Sequence, residues 1–496
     1  FFIFYYITIK IMEPRVMPST IDYSSMLPMS VPAMASRRKF FPSNGSTFSN
    51  LGNRQIRIEL AHGSALLDPS HSYLQIALTN VGPNTLGLDL GGANCLFESV
   101  RVEQGGRLLS YTQASNRLHS AILAPVQQTS EGVSTAGITE LNRSYNTNVA
   151  ASIAPAAAGQ TSEFYDIQCH NSGASIGAAA TVRLTMPMTS GLFSQDKLIP
   201  LPLVDPMAPI TIVLELATDS DVGAWSAAPL AGELQIAECA YVAHLVEVGP
   251  DVIQQFRMVQ QAMGGQLVIS GQDYEYFSGS LPAATAGQTA LSCPVRKKSV
   301  KSFFWCSQSN TYANTAGPIT QDLAFNLSFA GNANIDSFQF RVGPLLYPPT
   351  PVQCWGQTFG APAVGAEFNR GQCAMELAKA VGTMSATNPT GILSTTSYGT
   401  DQVGLASGEN GIGGATHCPL SEDKYSVCPF GISTDSFMRD VVESGIDTET
   451  LAQDSVLELN WAAGDNSAAE AQVVHIWALF DQHYYFNMDG SVTYSA

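Results

Sequence analysis

Charge is scarce in this chain. Only 13% of its 496 residues are Asp, Glu, Lys or Arg, about half the quarter usual in soluble domains. Asn, Gln, Ser and Thr fill the polar positions instead. With 45% hydrophobic residues the chain is not disordered, because disorder goes with few apolar and many charged groups. The charge that is present is acidic, −18 net, which argues against a nucleic-acid reader. Any attraction to phosphate has to come from a local basic segment. No run reaches the ~18–20 apolar residues that a spanning helix needs.

Paired cysteines are also missing. The nine cysteines, at 95, 169, 239, 293, 306, 354, 373, 418 and 428, contain no CxxC. Their odd number and irregular spacing argue against a disulfide framework or a structural zinc site. Buried or half-buried free thiols, made in a reducing compartment, are expected. Cys169-His170 and His417-Cys418 are adjacent pairs, but neighbours on a strand face opposite sides, so both read as coincidence. GxSxG, HExxH and GxxxxGK[ST] are absent. Gly408–Gly414, GENGIGG, has no clear strand before it and no helix after it, so it is not a phosphate loop. The eight histidines show no metal spacing. The 41 acidic residues are too many for sequence to single out a glycosidase pair. Asn44, Asn142 and Asn326 open glycosylation triplets, which are common by chance. No catalytic residue, metal ligand or cofactor is expected.

What is present is alternation. In Ile335–Val352, IDSFQFRVGPLLYPPTPV, residues Phe338, Phe340 and Val342 share one face and Gln339 and Arg341 the other, the mark of a strand with one buried side. Gly343-Pro344 breaks it, Leu345–Tyr347 resumes it, and Pro348-Pro349 is expected to end it. Ala374, Leu377, Ala378 and Val381 then take helical spacing, with Gly382 placed as a cap. The same order stands earlier, in Leu96–Tyr111. Arg101-Val102 precedes Arg341-Val342 by 240 residues, and a short helix over Ala114, Leu118, Ala121 and Ile122 follows, capped by Ser115 or Asn116 and stopped by Pro125.

Further echoes keep this order. Val213–Leu216 (VLEL) recurs as Val456–Leu459, Asp196-Lys197 as Asp423-Lys424, and Tyr241–Val248 resembles Val473–Phe480, with His244 and His475 in matching roles. Two copies of one β-rich domain follow. Residues 1–50 form an irregular N-terminal arm, of which 1–11 (FFIFYYITIKI) read as upstream translation or as a hydrophobic docking tail. Residues 51–249 form the first domain, 250–265 a helical linker with Val252, Phe256 and Val259 on one face, and 266–496 the second domain. Pro125–Gly177 and Met384–Cys418 are long polar loops at corresponding places. The arm carries Arg37, Arg38 and Lys39, either a merely solvated terminus or a contact with something acidic. Arg296-Lys297-Lys298 with Lys301 reads as solvated or edge-protecting charge rather than an anion site.

Short alternating strands and little helix point to antiparallel sandwiches, for which eight-stranded jelly rolls are one solution. Ser337–Pro351 (SFQFRVGPLLYPPTP), Ser190–Leu203 (SGLFSQDKLIPLPL) with Ile210–Leu216 (ITIVLEL), and Phe430–Asp447 (FGISTDSFMRDVVESGID) resemble the double jelly-roll major capsid proteins of icosahedral double-stranded DNA viruses, closest to polinton-like viruses, virophages and giant-virus relatives. The resemblance implies an all-β chain of two tandem eight-stranded antiparallel jelly rolls. It also implies a non-enzymatic virion subunit, assembled in the infected host cell. Such subunits form pseudo-hexagonal homotrimers that tile the shell. The implied partners are itself, neighbouring trimers, and penton and minor capsid proteins. It places the chain start inside the shell, so Arg37, Arg38 and Lys39 would face an internal membrane or genome, with no sequence-specific nucleic acid bound. The competing expectation is a secreted β-sandwich that binds carbohydrate or acts on polysaccharide. A signal peptide, paired cysteines or clustered Trp would mark that class, and there are only five Trp.

Overall fold

The computed structural model describes residues 32–84, 86–89, 91–124, 139–140, 175–225, 231–309, 327, 335–354, 370–382, 429–436, 444–449, 455–461 and 471–495. In chain order the strands of the first half are β1 (Ala33–Phe40), β2 (Phe48–Ser49), β3 (Gln55–Leu60), β4 (Ala65–Asn80), β5 (Leu86–Leu88), β6 (Phe97–Gln104), β7 (Arg107–Gln113), β8 (Ser175–Ile176), β9 (Thr181–Met186), β10 (Ile210–Leu216), β11 (Gly223–Trp225) and β12 (Leu234–Val248). Those of the second half are β13 (Gln266–Leu281), β14 (Gln288–Cys293), β15 (Val300–Ser309), β16 (Ser337–Val342), β17 (Leu345–Gln353), β18 (Phe430–Ser433), β19 (Ser455–Asn460), β20 (Gln472–Asn487) and β21 (Val492–Ser495). The helices are α1 (Ser115–Arg117, continuing as a wider turn over Leu118–Leu123), α2 (Pro250–Ala262) and α3 (Arg370–Val381).

The first half has one sheet in the order β1-β12-β4-β9, with β2 also on β12, and another in the order β3-β10-β6-β7. The second half has β13-β20-β15-β18, with β21 also on β20, and β14-β19-β16-β17. Within each half the two sheets therefore take the first, eighth, third and sixth of the main strands, and the second, seventh, fourth and fifth. All pairings are antiparallel. This is the jelly roll, built twice. A small sheet, β11-β5-β8, decorates the first half.

The echoes locate the repeat to the residue. Val213 lies opposite Arg101, and Val456 lies opposite Arg341. Leu214 faces Val100 just as Leu457 faces Phe340. Alternation explains both: an apolar residue at every second position supplies each inner face, and a one-residue slip would expose the whole set. Ile56, Ile58, Val102, Ile212 and Leu214 fill the first core; Phe338, Phe340, Val342, Leu457 and Leu459 fill the second. The β6–β7 hairpin turns on Gly105-Gly106, whose φ values of +55° and +82° suit the two-residue turn that matches strand twist.

Several expectations are corrected. The chain over Ala33–Phe40 is a strand, not an irregular arm; its order comes from antiparallel pairing with Val248–Tyr241. Pro348-Pro349 does not end β17, which continues to Gln353. β17 lies at the sheet edge, where a missing N–H removes no ladder bond. The cap of α1 is Ala114, in the left-handed region at φ 47°, without a side-chain bond. In α2, Val259 is exposed and Gln260 is buried, donating to the Phe486 carbonyl at 2.7 Å. His244 is the eleventh residue of β12 and His475 the fourth of β20, so they are not equivalent. Asp423-Lys424, Pro125, most of both long loops, Gly408–Gly414, Cys169-His170, His417-Cys418 and residues 1–31 lie outside the described residues. Ile199 bridges Leu67 as Ile446 bridges Val300, so the segment after β9 matches the one after β18.

Candidate functional site: the basic edge and the seam between the halves

Arg37, Arg38 and Lys39 stand together on β1, opposite His244, Ala243 and Val242 of β12. Alternation sends Arg37 and Lys39 to one face and Arg38 to the other. All three side chains are exposed, and the Arg38 guanidinium lies 5.3 Å from the Phe40 ring centroid. β1 is an edge strand whose other residues, Phe40 apart, are exposed or half-exposed. Across the sheet the Arg37 row continues through His244 to Asp68. Burial alone would raise the Asp68 carboxyl, but hydrogen bonds from Ser70 and His71 outweigh it and hold it below its ordinary range.

The other built feature is the seam where the halves meet. Asp273 of β13 is fully buried and takes hydrogen bonds from Ser110 Oγ (2.6 Å) and Thr112 Oγ1 (3.0 Å) of β7. Ser110 also meets the Ser190 hydroxyl at 2.6 Å. Gln482 Nε2 donates to the Leu109 carbonyl (2.8 Å), and its Oε1 accepts from the Tyr484 hydroxyl (3.0 Å). Gln104 reaches the far turn: its Nε2 donates to Gly490 O at 2.8 Å and its Oε1 accepts from Val492 N at 2.6 Å. Burial pushes the Asp273 carboxyl above its usual range, with the Ser110, Tyr274 and Thr112 bonds opposing. A buried carboxylate that lost these donors would be costly.

Apolar packing continues across the same joint. Ile269, Tyr484, Phe486 and Val492 belong to the core cluster of the first half. Leu118, Ile122 and Leu123 of α1 pack with Phe304, Cys306, Leu377 and Trp477 of the second half. Arg117 ties the two sides, donating to Gln308 Oε1 at 2.6 Å.

Two histidines are locked in their neutral form here. Burial drives His119 down to about 4; its Nε2 meets the Thr189 hydroxyl at 2.8 Å. His475, beside the Tyr276 hydroxyl at 2.7 Å, is held well below its ordinary value by burial and then by the Arg117 charge. A depressed folded pKa means that the unfolded chain takes up protons first. The stability is therefore whole above pH 6.5 and is lost as pH falls towards about 4 for His119. At pH 5 the His119 contribution is a loss of about 2 kcal/mol. His119→Gln is expected to flatten the fall in melting temperature between pH 7.5 and 5 relative to the parent; parallel curves would reject the assignment.

In the expected basic cluster Arg296 and Lys298 are exposed, as solvated charge would be, and Lys301 is not. Lys301 is buried, with its Nζ 3.4 Å from Asp435 Oδ2 and 3.7 Å from Asp481 Oδ2, and Asp481 also accepts from Ser299 Oγ at 2.7 Å. Lys297 lies 4.2 Å from the Phe480 ring centroid. Alternation along β15 turns Lys301 inward, where only paired carboxylates make its charge tolerable. Asn44 ties its loop to β3, donating to Gln55 O at 2.6 Å and accepting from Arg57 N at 3.0 Å. Among the described residues, no three His, Cys, Asp or Glu side chains are arranged to hold a metal ion, and no helix is long and apolar enough to cross a membrane.

Sequence reasoning missed the seam residues, although Ser190-Gly191 and Ser270-Gly271 carried a signal. A glycine inside a strand pattern marks close backbone approach, and a Cβ on Gly271 would collide with the Gly191 carbonyl oxygen.

No family model matches the sequence, and no curated protein does. Solved structures do match. PBCV-1 VP54, fitted into a cryo-EM reconstruction of the virophage Sputnik, aligns with TM-score 0.54 and 10% identity over 96% of this chain and 99% of that one. A quasi-atomic model of the PBCV-1 virus capsid gives 0.52 and 11% over 96% and 99%. A cryo-EM structure of the Sputnik virophage gives 0.53 and 10% over 97% and 92%. The chain thus has, along nearly its whole length, the double jelly-roll fold found in these virus capsids.

Proposed function

We propose that this protein is a major capsid protein, a non-enzymatic virion subunit whose homotrimers tile an icosahedral shell assembled in the infected cell. One observation carries the reading: two jelly rolls of the same strand order are fused through a buried seam. Three such subunits about a closed threefold axis present six similar barrels, which gives a near-hexagonal tile from a trimer. Low surface charge and long polar loops suit extensive contacts between subunits. Division into a first barrel, which β1 extends from the expected 51–249 back to Ala33, a linker at 250–265 and a second barrel at 266–496 belongs to this proposal, as do penton and minor capsid proteins as partners. Negative-stain microscopy and light scattering of the purified protein test it. Ring-like particles of about three times the 52.8 kDa chain mass are expected; monomers at micromolar concentration would reject it.

Arg37, Arg38 and Lys39 are proposed to meet phosphate on the inner side of the shell, from membrane headgroups or genome. Deleting them would also remove β1, so substitution is the cleaner test. Changing all three to Ser is expected to leave trimers intact and to impair shell assembly. The attraction should be salt-sensitive, because each neutralised phosphate adds roughly one unit of salt slope. Loss of the trimer, or assembly equal to the parent, would refute the role.

A further inference from the structure

Two thiols meet where the edge strand of the second half gives way to a helix. Cys354 directly follows β17, and Cys373 lies in the first turn of α3. Their Sγ atoms are 3.4 Å apart, and both side chains are buried. None of the six described cysteines is in a disulfide.

The approach is built into the fold. Cys354 N donates to Asp336 O at 2.7 Å, which holds the strand end in place. Gln353 N donates to Gln372 Oε1 at 3.2 Å, and Cys373 Sγ to Gln353 O at 3.0 Å, which hold the helix start against it. Further along α3, Leu377 and Ala380 seat on Gly431 of β18, where a Cβ would come within 2.9 and 3.0 Å of them, inside van der Waals contact. A disulfide has its sulfurs about 2.0 Å apart. The remaining gap to bonding distance is about 1.4 Å.

We propose that Cys354 and Cys373 form a disulfide pair, reduced where the chain is made and closed by a small-molecule disulfide when the protein reaches an oxidising environment. One thiolate attacks a sulfur of the small disulfide and expels one thiolate from it. The second protein thiol gives up its proton and attacks the mixed disulfide, expelling the other. The protein loses two electrons and two protons, and the small disulfide becomes two thiols. The cross-link joins residues 19 positions apart, fastening α3 to the edge strand after folding is complete. Cross-linking a loop of this length restricts the unfolded chain. The inference does not rest on the capsid reading, since it concerns one local pair.

The test uses the full chain, purified with reductant, then freed of it and exposed to oxidised glutathione at neutral pH. The native protein is expected to lose two titratable thiols and the mass of two hydrogens. Non-reducing digestion should yield one linked peptide pair containing Cys354 and Cys373, and the melting temperature should rise by roughly 3–6 °C. Cys354→Ser and Cys373→Ser should each abolish the linked peptide and the rise. A bridge to a different cysteine, a stable glutathione adduct without closure, or unchanged thiol count in the native protein would each overturn the proposal.

Discussion

Phe340→Asp is expected to yield no soluble protein. Phe340 is fully buried at the centre of the second barrel, with its ring stacked on Phe303 at 4.6 Å between centroids. It lies opposite Leu457 on one side and Tyr347 on the other. Removing a buried aromatic ring costs about 3–5 kcal/mol. An unpaired carboxylate in the same place adds several more. Together these approach or exceed the ~5–15 kcal/mol that stabilises a typical domain. Phe340→Leu keeps the apolar contact and should stay soluble with a lowered melting temperature. Expression with fractionation, followed by sizing of any soluble material, decides the matter. Soluble, trimeric Phe340→Asp protein would show that the buried face of β16 is wrongly assigned.

Gly271→Val should separate the halves without unfolding either. At Gly271 the backbone of β13 runs against the Gly191 carbonyl, and Gly191 in turn faces Tyr484 and Asp273. Neither neighbour can swing aside: Tyr484 and Asp273 are buried, and Asp273 is held by Ser110 and Thr112. Added methyl groups must therefore push the seam open and strip Asp273 of its donors. Overpacking of this kind costs about 1–3 kcal/mol or more, and an orphaned buried acid adds to it. In calorimetry the parent should unfold in one transition, because core residues are shared across the joint. The variant should show two. Gly249→Ala, where a Cβ meets nothing within 4 Å, is the control. One transition at the parent temperature for Gly271→Val would mean that this contact does not couple the halves.

The sequence displayed those strands whose apolar residues recur at every second position. QIRIEL became β3 and ITIVLEL became β10, and the repeated VLEL with its Arg-Val partner located equivalent registers in both barrels. β1 was illegible because almost no residue in it is buried; its conformation is imposed by β12, some 200 residues later. Pro348-Pro349 misled because only topology reveals that β17 has a free edge. The basic triplet was visible as charge, yet its place on a strand was not. The seam was hidden for a different reason. Ser110, Thr112, Asp273 and Gln482 look like water-facing polar residues until a second barrel covers them. Lys301 likewise looks like surface charge, and its partners Asp435 and Asp481 are far along the chain.

The closing strand pairs carry a consequence for synthesis. β1 binds β12 with Ala33 opposite Val248, and β13 binds β20 with Gln266 opposite Asn487. Each barrel thus joins its first strand to its last, and neither can close until more than 200 residues have followed its opening strand. At about 5–20 residues per second, a ribosome leaves each opening strand waiting roughly 10–40 s for its partner. Loop closure over such a span makes assembly of these contacts late and slow. During that interval the apolar faces of β3, β4 and β6 emerge in turn without their lids. The nascent chain consequently places its heaviest demand on chaperones twice, once per barrel, and each interval ends when the corresponding final strand leaves the exit tunnel.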